Sequence, residues 1–128
     1  MIYQVISDRP YEEVCSSVED VCKKHGFGVM KVYDFTKILE EKGHPISKNV
    51  STFEICQPQF AAELLENNPI LANFMPCRLA IEDLGNGKTR IMTYLPTNIV
   101  NLCQLPTLYD AAEAIDVTIK KIMDELKG

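Results

Sequence analysis

The sequence predicts a single α+β domain, with helices packed on one face of a mostly antiparallel sheet, in the order β-α-β-α-β-α-β-β-α. Three observations carry that expectation. Segments with period-two apolar patterning alternate along the chain with segments of helical spacing. Cys77, Leu79 and Ile81 alternate with Arg78, Ala80 and Glu82, and Gly85-Asn86-Gly87 follows, which is the signature of an antiparallel hairpin. The 128 residues contain no repeat or low-complexity linker and suit one domain, residues 1–128, of ordinary size.

Met1 to Ile6 reads as the first strand, rich in β-branched and aromatic side chains. Asp8 is placed to cap the next helix, with Pro10 in its first turn and Glu12 and Glu13 at the positive end of the dipole. Val14, Val18 and Val21 mark its buried face, Cys15 and Cys22 lie beside them, and Gly26 supplies a left-handed end. Phe27 to Tyr33 reads as a second strand. Asp34 caps a short helix to Lys42, closed by Gly43 and Pro45. A third strand spans Asn49 to Cys56, and Pro58 opens a helix carrying Phe60, Leu64 and Leu65 that ends before Pro69.

Ile70 to Phe74 reads as a helical turn leading into the hairpin, whose second strand runs from Thr89 to Leu95. Between Pro96 and Pro106, Ile99, Val100, Leu102 and Cys103 suggest a packed turn of helix. Thr107 and Asp110 have the spacing of a capping box for the last helix. There Leu108, Ala112, Ile115, Ile119, Ile122 and Leu126 step by threes and fours to form one apolar stripe.

Charge and cysteine usage narrow the partners. Thirteen Lys and Arg against eighteen Asp and Glu leave a net charge of -5, the wrong sign for neutralising a phosphate backbone, so nucleic acid is not an expected partner. No apolar run is long enough to span a membrane, and the start lacks the basic and then apolar regions of a leader. Five cysteines at wide spacing, with no Cys-x-x-Cys, suit free thiols in a reducing cytoplasm.

The runs GFGVMKVYDFTKILEEKG, CQPQFAAELLENNP and MPCRLAIED, in that order, resemble the bacterial and archaeal family called domain of unknown function 302. The resemblance covers Gly26 to Leu95. It implies a TATA-binding-protein-like α+β fold, and it implies no activity, because a fold does not carry a function with it. Cys56 and Cys77 match the family's Cys-Asn-Pro and Leu-Pro-Cys segments, and Asp34 matches its Asp before a short helix. Gln57, Met75 and Leu95 depart from the Asn, Leu and Asp common at those positions.

Among chemically capable residues, Cys56 precedes a helix start, where the dipole favours a thiolate, and Cys77 is its candidate partner if their strands are neighbours. The opposing reading makes both small core hydrophobes. Glu54 and Asp34 are the candidate polar neighbours: Glu54 interrupts an apolar strand, and a carboxylate there titrates abnormally if buried. Asp34 has the plainer job of a helix cap. Cys22 with His25 gives two ligands without companions, so no metal site is assigned, and the cofactor, if one is used, is unknown. Gly85-Asn86-Gly87-Lys88 lacks the spacing of a phosphate loop. No Ser-His-Asp set or His-Glu-x-x-His helix occurs.

These residues support an uncharacterised cytoplasmic module that binds a small ligand or itself. The alternative is a thiol-dependent redox or metal-handling protein using Cys56 and Cys77. Whether it is an enzyme stays open. Ile2, Tyr3, Met30, Val32, Met92 and Tyr94 make both parities of several strands apolar, which predicts a homodimer.

Overall fold

A computed structural model describes residues 1–128. Five strands, β1 (Ile2–Ser7), β2 (Gly28–Asp34), β3 (Val50–Cys56), β4 (Cys77–Gly85) and β5 (Lys88–Tyr94), form one sheet in the order β1-β5-β4-β3-β2. Every pairing is antiparallel. The first two strands therefore occupy opposite edges, and the hairpin of β4 and β5 lies inside. Asn86 and Gly87 carry positive φ angles of 55° and 76° at its tip, the two-residue turn that matches strand twist.

Register sorts the side chains onto two faces. Val5, Ile91, Ile81 and Ser51 stand in one row on the inner face, and Gln4, Met92, Ala80, Thr52 and Tyr33 stand in the next row on the outer face. Helix α1 (Tyr11–Lys24) and the last helix, α5 (Tyr109–Lys127), lie side by side on the inner face. They bury Val14, Val18, Ile119, Ile122, Met123 and Leu126 against Phe53, Ile55, Leu79, Ile81 and Ile91 in one core. No helix lies over the centre of the outer face, where a shallow hollow is lined by strand residues alone, among them Ile2, Ala80, Met92 and Tyr94; at its margins Tyr33 stacks on Phe35, and Arg78 and Tyr94 border a groove with Ile99.

Three shorter helices flank this core. Helix α2 (Phe35–Glu41) follows β2 at the edge, α3 (Pro58–Asn67) follows β3 and runs into a 3-10 turn at Pro69–Phe74, and α4 (Pro96–Leu102) follows β5. The order β-α-β-α-β-α-β-β-α is present as expected, with α4 added between the hairpin and the last helix. No helix is long and apolar enough to cross a membrane.

Two expected caps do not form. The N-cap of α1 is Pro10, without a side-chain bond, while Asp8 reaches the other way to Lys88 at 2.6 Å. Thr107 falls inside a 3-10 turn at Pro106–Leu108, so α5 starts at Tyr109 with no side-chain cap. At the first a distant partner holds the side chain, and at the second a proline-led 3-10 turn moves the helix start past Thr107. Asp34 does cap α2, accepting from the Lys37 N–H at 3.2 Å.

A candidate apolar cleft with two thiols

At the end of the sheet where β3 finishes and β4 begins, the arm formed by α3 and its 3-10 turn crosses over the chain. It closes a cleft against α4 and α5. Thirteen of the 16 residues lining it are hydrophobic. Phe60, Ala61 and Leu64 come from α3, Leu71 and Phe74 from the turn, Pro96, Ile99 and Val100 from α4, and Ala112 from α5. The local reasons are legible: Pro58 starts α3, where a missing N–H costs nothing, and the Gln57 side chain accepts from the Phe60 N–H at 2.5 Å. The space inside is about 40 Å³, room for a few waters. Grooves continue it on both sides, one sharing Phe27, Gln57 and Phe60 and the other sharing Phe74, Pro76, Cys77 and Ile99.

Cys56 and Cys77 both line this cleft. Cys77 stands opposite Ile55 in the β3–β4 register, so Cys56 is one residue further along the neighbouring strand. Burial pushes the Cys77 thiol up to about 11, with the nearby Cys56 and Asp116 adding to the rise and Arg78 opposing it. Burial also raises Cys56. Both thiols are therefore protonated at neutral pH, with burial the first cause of each rise.

The two candidate carboxylates lie elsewhere. Glu54 sits on the outer face, its side chain 14% exposed and paired to Arg78 at 3.5 Å. Asp34 is at the opposite end of β2, in a wide polar groove with Tyr11, Glu12, Lys37 and Glu40. Nothing in the cleft itself carries a carboxylate or an imidazole.

One buried polar pair was not anticipated. Asp116 of α5 is 6% exposed and accepts from the Thr97 N–H at 3.2 Å and the Thr97 hydroxyl at 2.5 Å, which fixes the start of α4 at the wall of the cleft. A signal existed: Asp116 falls on the stripe between Ala112 and Ile119, where only a satisfied polar group is tolerated. His25, by contrast, closes α1 and meets Glu125 of α5 at 3.1 Å, outside any metal cluster.

No functionally curated protein matches the chain. Among solved structures it is similar to the crystal structure of an uncharacterized conserved DUF302 protein from Bacillus stearothermophilus. That similarity has a TM-score of 0.88 at 32% identity, over 96% of this chain and 95% of that one. The profile of the family described as domain of unknown function DUF302 matches residues 3–126, and the chain belongs to that family.

Proposed function

We propose that the protein is a binding module that takes a small apolar or mixed ligand into the cleft beneath α3 and its 3-10 turn. One observation carries this reading: an interior opening is walled by 13 hydrophobic residues out of 16, with no acid or base to move a proton. Such a wall supplies burial and shape, not turnover. A space of about 40 Å³ takes only a compact group until the arm lifts. The arm suits that movement, since α3 buries only Leu64 and the turn only Leu71.

The experiment is a titration with an environment-sensitive apolar dye, followed by displacement with short-chain apolar compounds. Saturable binding that is lost in Ala61→Trp, with the melting curve kept, supports the reading. Equal dye binding by the blocked variant overturns it. Self-association is proposed alongside, through the helix-free centre of the sheet's outer face. A thiol-dependent role at Cys56 and Cys77 is the second reading of the cleft, favoured by one fact: both residues reach the same space.

A further inference from the structure

Cys56, Met75 and Cys77 bring three sulfur-bearing side chains to one apolar cleft. Opposite Cα atoms of paired strands lie about 5 Å apart and successive residues about 3.3 Å, so the diagonal places the Cys56 and Cys77 Cα atoms about 6 Å apart. Both residues line the cleft, close enough that Cys56 acts electrostatically on Cys77. We propose that Cys56 and Cys77, with the thioether of Met75, form a binding site for a soft monovalent metal ion, with Cu(I) as the cation that fits. This rests on the thiol reading of the cleft and is independent of whether an organic ligand also enters.

The donor set selects the ion. Thiolate and thioether ligands favour Cu(I), whereas a structural Zn(II) needs four N, S or O donors. No carboxylate or imidazole lines the cleft, and no three or more His, Cys, Asp or Glu side chains are grouped so as to hold a metal ion. On binding, each thiol gives up its proton as its sulfur bonds the ion, so one Cu(I) displaces two protons and no electron moves. The resulting unit carries one net negative charge. The N-terminus of α3, which begins two residues after Cys56, offsets that charge, while the buried Asp116 opposes it and the nearby Arg78 is already paired with Glu54. The dry wall would keep water and oxygen from the bound ion.

The test is an anaerobic titration of the reduced full chain with Cu(I) in competition with a chromophoric Cu(I) chelator, with proton release followed in weak buffer. A single equivalent withdrawn per chain, with two protons released and affinity rising with pH, is the expected result. Cys56→Ser and Cys77→Ser each abolish the competition, Met75→Leu weakens it about tenfold, and Cys103→Ser leaves it unchanged. Melting curves of the variants, taken without metal, separate a lost site from a lost fold. No withdrawal by the wild type, or withdrawal that survives either serine variant, overturns the proposal, as does tighter binding of Zn(II) than of Cu(I). Because the readout is metal alone, failure here leaves dye binding to decide the ligand reading by itself.

Discussion

Cys22 belongs to the core, and burial raises its thiol from 9.0 to about 11. Burial likewise carries Cys15 to about 11 and Tyr11 to about 12. A raised acid favours its neutral form in the fold, so this stabilisation is complete below the unfolded value of 9.0 and is lost as pH climbs toward about 11. Melting temperature should accordingly fall across that window, and Cys22→Val should flatten the fall. The same rise of two units leaves about 100-fold less thiolate at neutral pH, so Cys22 and Cys77 should react with a thiol reagent at least that much more slowly than a free peptide thiol. Quantitative labelling within the dead time of mixing would contradict that. Asp116 is the second sensitive residue. Removing its carboxylate leaves the Thr97 donors unpaired at a buried helix start, so Asp116→Ala should cost about 1–3 kcal/mol in urea unfolding. Thr97→Val in the same chain should add less than its separate cost, because the two share one interaction.

At the scale of elements, the strands and the long amphipathic helix were legible because their signals repeat. The period-two run through Cys77, Leu79 and Ile81 and the stripe from Ala112 to Leu126 each rest on several residues, so no single contact could overturn them. Caps rest on one side chain and fail singly, as Asp8 and Thr107 did. The hairpin tip is a strong local signal of a different kind. Gly87 sits at φ 76° with nothing within 4 Å of an added Cβ, so the cost of a side chain there is conformational, not steric. Gly87→Val should destabilise by about 1–2 kcal/mol, while Gly28→Ala, in ordinary strand backbone, should not; paired chemical melts would show the contrast. The candidate site was half legible. Sequence order placed Cys56 and Cys77 at the ends of two strands, and the antiparallel register made those ends adjacent. Parity sent Glu54 to the other face, and the length of β2 carried Asp34 about 20 Å from the thiols. Which face each helix would choose, and which residues the arm would enclose, depend on tertiary packing that no local pattern encodes.

For the whole molecule, the two-faced sheet is the main fact. Helices seal one side, and the other presents Ile2, Ile6, Met92 and Tyr94 around the pairs Glu54–Arg78 and Glu82–Arg90. Those pairs leave the centre of the face close to neutral, so a second copy can cover the centre at little electrostatic cost provided Lys31, exposed near the β2 edge, stays in water. Five strands spaced about 4.8 Å apart and about 20 Å long give roughly 500 Å² per copy, or about 1,000 Å² in total, at the lower end of specific interfaces. A weak dimer is the expected outcome. Sedimentation should show a concentration-dependent rise toward twice the 14.5 kDa chain mass, and Met92→Lys should return it to the monomer without moving the melting curve. A mass fixed at 14.5 kDa over the whole range would refute this.

The placement of β1 has a consequence for how the protein is made. This strand leaves the ribosome before the other four, yet its only sheet partner is β5, and β2, the next strand to emerge, belongs at the far edge. Its other ties come later still: Ser7 donates to the Lys127 carbonyl at 2.8 Å and Arg9 to the Leu126 carbonyl at 2.8 Å. During synthesis the opening strand must therefore wait, unpaired, for almost the whole chain. A nascent chain stalled before the hairpin has an apolar edge with nothing to pair with, which is the condition under which holding chaperones act. Translation and folding cannot overlap for this strand, and losing Leu126 and Lys127 would release Ser7 and Arg9 at its end.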